Sequence, residues 1–153
     1  MSNNPSYVSY QRVIEIDERY FFDAPPNNFE YSQFLSEVLV CSVEHDQYLK
    51  NELGIDLLED NWSWVVTQNQ FEIFDLPCLG QKIVITTELA SANRFFVERW
   101  FGIYHDQELL MTVYIQFAVI DLHLRKMQTI PAHILKENNL LASDKASKFV
   151  KYK

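Results

Sequence analysis

The stretch of chain that decides the fold is residues 62–121, WSWVVTQNQFEIFDLPCLGQKIVITTELASANRFFVERWFGIYHDQELLMTVYIQFAVID. Segments rich in β-branched and aromatic residues alternate here with short turn segments, which is typical of β-strands. The four predicted strands are Trp62–Phe74, Lys82–Leu89, Arg94–Tyr104 and Glu108–Asp121. Because the connections are short, we expect consecutive strands to be antiparallel.

One long amphipathic helix is predicted just before these strands. From about Phe29 to Leu53, apolar side chains recur at the i, i+3, i+4, i+7 spacing of a helix with one buried face. Asn27 or Asn28 is suited to the N-cap, and Gly54 to the C-cap. Polar residues weaken the apolar stripe between Cys41 and His45, which marks where a break would fall.

The remaining predicted elements are a first strand at Tyr7–Ile16, a polar turn at Leu122–Gln128 and a short helix at Ala132–Asn138. A basic tail follows from Ser143. Strand, long helix and four antiparallel strands predict an α+β hotdog fold, in which an antiparallel sheet curls around a central helix. Cystatin-like and lipid-transfer folds share much of this order. We expect a single hotdog domain over residues 1–135, with a short helix and basic tail over residues 136–153.

Composition narrows the partners and the compartment. The 153 residues are 48% hydrophobic, enough for one domain with a sizeable core, and the net charge is −8. This charge argues against nucleic acid or an anionic membrane, and against an acidic protein partner unless the few Lys and Arg residues cluster. Cys41 and Cys78 form no metal-binding motif and are expected to be reduced thiols. With no apolar span or signal peptide in the sequence, we expect a cytoplasmic bacterial protein.

An ordered set of short motifs carries a resemblance to a known family. The motifs are Trp64-Val65-Val66-Thr67, Phe71-Glu72-Ile73, Pro77, Gly80, Ile83, Thr87, Asn93-Arg94-Phe95-Phe96, Arg99-Trp100-Phe101, Val119-Ile120-Asp121, Arg125-Lys126 and Ile130-Pro131. The set resembles the first hotdog domain of acyl-acyl-carrier-protein thioesterases. The segment Cys41-Ser42-Val43-Glu44-His45, closing at Leu53-Gly54, is similar to that family's first helix. The resemblance covers roughly Tyr10 to Pro131.

The resemblance implies hydrolysis of a fatty acyl thioester held on acyl carrier protein, in fatty acid biosynthesis, by activated water and without metal or organic cofactor. In that family the catalytic segment, similar to D-x-N-x-H-x-N-N, belongs to a second hotdog domain, which we expect this chain to lack. Asn27-Asn28 and Tyr31 echo the end of that segment. However, Pro25 stands where its His would be, and Phe21 where its Asp would be. The catalytic set is therefore expected to be absent.

Three titratable residues are candidates for chemistry if the chain is active by itself. Asp23 and Glu30 flank the predicted helix start, where single-domain hotdog thioesterases carry a carboxylate that activates water or attacks the thioester carbonyl. The alternative is loop solvation for Asp23 and compensation of the helix dipole for Glu30, and we favour this reading. His45 lies on the predicted buried stripe, where a core histidine is favoured over a general base.

Aromatic residues of the strands are candidates for binding an acyl chain. Trp64, Phe71 and Phe96 could line an apolar tunnel, or could be ordinary core residues. Simple alternation places Trp64 and Phe71 on opposite faces of their strand. Arg94 and Arg99 also differ in parity, so one is expected to pair inside the sheet, and the other could meet an acidic partner. Surface solvation is the favoured reading for at least one of them.

The expected assembly is a homodimer, because a lone hotdog leaves an edge strand and an apolar surface exposed. Two functions remain open from the sequence. The first is that of a thioester hydrolase family member acting on a fatty acyl thioester, with acyl carrier protein as a candidate partner. The alternative is a non-catalytic acyl-binding or regulatory hotdog dimer that kept the tunnel and lost the chemistry.

Overall fold

The computed structural model describes residues 9–22, 28–56, 58 and 61–141. The strands are β1 (Ser9–Glu15), β2 (Trp62–Ile73), β3 (Lys82–Ala92), β4 (Val97–His105), β5 (Glu108–Asp121) and β6 (Lys126–Gln128). The helices are α1 (Tyr31–Leu53) and α2 (Ala132–Leu141), and a single 3₁₀ turn forms at Glu18–Tyr20.

The strands form one antiparallel sheet in the order β1-β3-β4-β5-β2, and β6 pairs with the last residues of β5. Helix α1 packs on one face of this sheet, against β1 and β3. The predicted α+β hotdog fold is confirmed. The strand predicted from Arg94 begins instead at Val97, because Asn93 and Phe96 close a turn through a backbone bond of 2.9 Å between the N–H of Asn93 and the carbonyl of Phe96.

Helix α1 is continuous, so a break between Cys41 and His45 does not occur. The Ser42 hydroxyl donates to the Leu39 carbonyl over 2.7 Å and is thus satisfied within the helix. The predicted C-cap is correct, since Gly54 adopts φ +67° and donates its N–H to the last turn. The N-cap is Glu30, and not the predicted Asn27 or Asn28. Within the described residues, no helix is both long and apolar enough to cross a bilayer.

The core lies between α1 and the sheet. Its fully buried members come from both sides and include Phe34, Val38, Ile83, Ile85, Phe101, Ile103, Val113 and Ile115. From β1 and the residue after it, Ile14 and Ile16 point into this core, as alternation predicts. Arg12 shares that parity, and its guanidinium reaches two acidic side chains of α1, Glu37 at 2.8 Å and Glu44 at 2.9 Å.

A β-bulge at Thr67 changes which side chains of β2 face the helix. Trp64 lies opposite Val119, and Phe71 lies opposite Val113, so both point to the same side of the sheet. The prediction that they face opposite sides is wrong, because the bulge adds one unpaired residue and resets the alternation. Both residues pack against the core that α1 covers.

The C-terminal helix α2 closes one end of the sheet. Ile130 and Ile134 are buried there with Leu49, Leu89 and Val119. The predicted helix start at Ala132 is correct, and the helix continues to Leu141. Helix α2 continues across residue 135. The limits of 1–135 for the domain and 136–153 for the tail remain a prediction. The predicted basic tail lies outside the described residues.

Candidate functional site

A groove between α1 and β2 forms the candidate site. Because α1 packs against β1 and β3, it stands away from the β2 edge of the sheet and leaves a cavity of about 400 Å³. That volume lies within the usual range of ligand pockets, roughly 300–1,000 Å³. The groove is open to solvent, as the 64% exposure of Val43 on its helix side shows.

The lining of the groove is half apolar and half polar. The apolar lining is Leu39, Val43, Leu58, Trp64, Val66 and Phe117. The polar lining is Ser42, Asp46, Gln47, Lys50, Asp56 and Ser63. The helix contributes one face to this lining, because its residues recur at three- and four-residue spacing. A groove lined equally by apolar and polar side chains suits an extended apolar ligand with a polar end.

A buried polar cluster lies beside the groove and joins three elements. The Arg99 guanidinium on β4 donates to the carboxylate of Asp46 on α1, and it is only 4% exposed. The indole N–H of Trp64 on β2 donates to the other Asp46 oxygen over 3.2 Å. Since both carboxylate oxygens are bonded, Asp46 fixes the helix to the two strands on either side of the groove floor.

The protonation of this cluster follows from its surroundings. Burial raises the pKa of the Asp46 carboxyl above its ordinary value, while Arg99 and the Trp64 N–H oppose that rise. Arg99 also contacts Nδ1 of His45 at 2.8 Å. Because a guanidinium has only donors, that nitrogen accepts, which assigns a ring proton of neutral His45 to Nε2.

His45 fits the core histidine that its position predicts. It is fully buried, its ring stacks on Tyr10 at 6.0 Å between centroids, and Nδ1 is occupied by Arg99. It does not belong to the described lining of the groove. In this arrangement His45 orients Arg99, and the imidazole presents no free base to a ligand in the groove.

The predicted acyl-binding residues are not all brought together. Trp64 lines the groove, whereas Phe71 and Phe96 are outside its described lining. Phe71 packs against the core, with its ring 5.8 Å from that of Tyr31. Phe96 is half-buried in the turn before β4, beside Phe95.

The predicted catalytic carboxylates are placed only in part. The Glu30 carboxylate accepts the N–H of Ser32 at 2.9 Å and its hydroxyl at 2.5 Å, and these hydrogen bonds hold the pKa of Glu30 below its ordinary value. A lowered pKa suits a helix cap. Asp23 lies outside the described residues, as does Pro25. Phe21 is buried and forms a β-bridge with Phe29.

Burial disfavours one of the two thiols as a nucleophile, and no metal site forms in the described part of the chain. Cys41 is fully buried, and desolvation raises the pKa of its thiol to about 12. That favours packing over nucleophilic attack, because the thiolate is the reactive form. Cys78 is exposed. In residues 9–22, 28–56, 58 and 61–141 no group of His, Cys, Asp and Glu side chains is arranged to hold a metal ion.

The role of Asp46 as the partner of Arg99 was not predicted from the sequence. Its signal was indirect: Arg99 has the same parity as the buried Val97 and Phe101, so its charge needed a carboxylate from the helix above. Asp46 follows Leu39 by seven residues on the same helix face. The sequence did predict that one of Arg94 and Arg99 pairs inside the sheet, and Arg99 does so.

Comparison with known proteins identifies the family. Residues 29–138 match the sequence model of the acyl-ACP thioesterase N-terminal domain. The chain belongs to the acyl-ACP thioesterase family. This family domain contains α1, the whole of β2 to β6 and the groove between α1 and β2. No curated protein sequence matches the chain significantly.

Solved structures with the same fold include thioesterases about as long as this chain and others about twice as long. The 12:0-ACP thioesterase from Umbellularia californica is 15% identical with a TM-score of 0.71, over 95% of this chain and 57% of that protein. An acyl-ACP thioesterase from Bacteroides thetaiotaomicron is 22% identical with a TM-score of 0.59, over 78% of this chain and 48% of that protein. A predicted thioesterase from Bacillus stearothermophilus is 10% identical with a TM-score of 0.69, over 88% of this chain and 97% of that protein. The chain thus spans about half the length of the first two, and these likenesses show the fold.

Proposed function

We propose that the groove between α1 and β2 holds the acyl chain of a fatty acyl thioester, and that the chain serves acyl-ACP hydrolysis in fatty acid biosynthesis. The observation that supports this most is the apolar wall of Trp64, Val66 and Phe117, in the same lining as the half-buried carboxylate of Asp46, which the Trp64 indole N–H contacts. An acyl chain can follow the apolar lining residues while the exposed polar ones, such as Gln47 and Lys50, stay hydrated. We take the thioester as the substrate class because the chain belongs to the acyl-ACP thioesterase family.

The proposal includes a carrier, a compartment and an assembly. Acyl carrier protein is the proposed thioester carrier, and the cytoplasm is the proposed compartment. A homodimer is the proposed assembly, since β1 and β2 are the outer strands of the described sheet. Phe71 and Phe96 stay proposed acyl contacts that a ligand could reach by side-chain movement.

A binding role with little hydrolysis is the second candidate. Both carboxylates of the described groove lining are occupied, since Asp46 pairs with Arg99 and Asp56 lies 3.6 Å from Lys50. A general base needs a free acceptor within hydrogen-bond reach of the attacking water. The groove therefore favours acyl binding, with catalysis supplied elsewhere or lost.

Filling the groove tests the proposal directly. Val43 lines the groove and Val40 does not, yet both are exposed residues of the same helix. The Val43→Trp variant should weaken binding of acyl-pantetheine thioesters by about tenfold or more, a change of about 1.4 kcal/mol. The matched Val40→Trp variant should bind like the wild type. The measurement is titration calorimetry with saturated acyl-pantetheines of increasing chain length.

Chain length gives the second readout. If the groove holds the acyl chain, affinity should rise with each added methylene until the groove is filled, and then level off. Equal affinities of the two Trp variants, or affinity independent of chain length, would reject the groove as the acyl site.

A further inference from the structure

The cationic side chains of the described chain fall into two groups. Those of the first group are bound to carboxylates, namely Arg12, Arg19, Lys50 and Arg99. Those of the second form no ion pair with another described residue, namely Lys82, Arg94, Arg125, Lys126 and Lys136. In a protein of net charge −8, cations left without a carboxylate partner are conspicuous.

Three of these cations lie at one end of the sheet. Arg125 and Lys126 belong to the turn and strand that follow β5, where Lys126 lies opposite Asp121 in the backbone ladder between β5 and β6. Arg94 belongs to the turn before β4, and its carbonyl accepts the N–H of Ile130 at 2.7 Å, just beyond β6. The turn before β4 therefore lies beside the residues that follow β6, at the same end of the sheet as the end of β5. Lys82 begins β3 and lies at the opposite end.

Large apolar side chains are exposed among these cations. Leu122 is 59% exposed, Leu124 58% and Met127 57%. Together with Arg94, Arg125 and Lys126 they form what we call the basic turn surface. Solvent-exposed apolar residues beside unpaired charges are typical of a surface that binds another protein.

The turn that presents this surface is held in place from within. The Asp121 carboxylate accepts the N–H groups of His123 and Leu124, each at 2.9 Å, and its carbonyl accepts the N–H of Arg125 at 2.6 Å. Oδ2 of the same carboxylate accepts the indole N–H of Trp62 at 3.3 Å, so Asp121 is held by the turn backbone and by β2 and forms no ion pair with Arg125. Arg125 adopts φ +56°, a conformation that glycine or asparagine would adopt at lower cost. A preordered surface loses little entropy on binding.

We propose that the basic turn surface docks an acidic carrier protein, the one that delivers the thioester to the groove. The inference rests on the proposed function for the identity of the cargo. Charge complementarity selects the partner: the three cations suit carboxylates, and the leucines and methionine suit an apolar patch between them. An anionic bilayer is a poorer match, because the rest of this acidic protein would face it at close range.

The test separates docking from acyl binding by using a carrier without an acyl chain. Binding of phosphopantetheine-loaded acyl carrier protein is measured by fluorescence anisotropy at low and high salt. Arg125→Glu should weaken it about tenfold, and wild-type binding should fall with salt because exposed charges are screened. The matched control Lys82→Glu makes the same charge change at an exposed position of the opposite end and should change affinity less than twofold.

A second pair of variants tests the apolar part. Leu124→Ser should weaken carrier binding severalfold, whereas Leu79→Ser, at a comparably exposed leucine in the β2–β3 turn, should not. Binding of acyl-pantetheine, which has no carrier protein, should be unchanged in all four variants. If the wild type does not bind acyl-pantetheine, the groove is rejected as the acyl site. The carrier-binding result would still test the docking surface independently.

Three outcomes would overturn the docking proposal. The first is a wild-type chain that does not bind the carrier. The second is equal weakening by Arg125→Glu and Lys82→Glu, which would show an effect of net charge alone. The third is that Arg125→Glu leaves carrier binding intact but abolishes self-association in sedimentation, or binding to phosphatidylglycerol vesicles.

Discussion

The guanidinium of Arg99 on β4 donates to the carboxylate of Asp46 on α1, where the Arg99 side chain is 4% exposed and the Asp46 side chain, in the groove lining, is 23% exposed. In the described structure Asp46 is the carboxylate that pairs with Arg99, and the neutral His45 ring accepts a further hydrogen bond without adding a counter-charge. Removing one partner of such a pair leaves an uncompensated buried charge, which costs far more than the pair itself contributes.

The first prediction follows from that pair. Asp46→Ala should lower the free energy of unfolding by about 3–5 kcal/mol, because Arg99 would remain buried without a counter-charge. Lys50→Ala, which breaks the exposed contact with Asp56, should cost less than about 1 kcal/mol. Urea unfolding followed by circular dichroism measures both. Similar losses for the two variants would show that Arg99 finds water or another partner.

The second prediction concerns hydrolysis. The purified chain should hydrolyse long-chain acyl thioesters slowly or not at all, since the sequence resemblance puts Pro25 and Phe21 at the positions expected to hold His and Asp in the family's catalytic segment. Positioned general acid–base groups typically contribute a factor of about 10² to 10⁴. The assay uses acyl carrier protein and coenzyme A thioesters. Robust turnover that Asp23→Ala or Glu30→Ala abolishes would place catalysis in this domain.

The third prediction concerns assembly. We expect a homodimer at micromolar concentration, because β2 is an outer strand with exposed Val65, Ile73 and Phe74 at or near it. A lysine at Val65 should weaken the dimer if this edge is used, whereas a lysine at Val13 on β1 should not. Sedimentation velocity distinguishes the species. A wild-type monomer would contradict the expectation.

The fourth prediction uses the buried thiol of Cys41. Its pKa is raised from 9.0 to about 12, so on raising the pH the unfolded chain ionises first. The stabilisation is complete below about pH 9 and is lost toward pH 12, by at most about 1.4 kcal/mol per pH unit. The wild type should therefore lose stability faster than Cys41→Ala in this window.

The measurement for Cys41 is chemical unfolding of both proteins at several alkaline pH values. Tyrosines and lysines titrate in the same range, and the comparison with Cys41→Ala removes their shared contribution. Thiol labelling near neutral pH gives an independent check, because the exposed Cys78 should react and Cys41 should not until the chain unfolds. Parallel pH profiles of the two proteins would contradict the shift.

Most of the fold could be predicted because its signals are local. The helical spacing up to Leu53 and the glycine after it determine α1, and alternation and turn residues determine the strands. The candidate site was harder to predict, since it depends on contacts between residues distant in sequence. Arg99 and Asp46 are 53 residues apart, and nothing in either neighbourhood specifies the other.

The bulge at Thr67 gives β2 one residue more than its pairing with β5 requires. A deletion in the middle of this strand could therefore be absorbed by straightening the bulge, with Trp64 and Phe71 still turned toward the helix. A one-residue insertion adds a further unpaired residue that the ladder cannot absorb by straightening. It would reverse the alternation in one half of the strand and turn the apolar side chains of that half into solvent. Along β2 the chain thus tolerates shortening better than lengthening, an asymmetry that melting temperatures of a Thr67 deletion and a one-residue insertion after Thr67 would reveal.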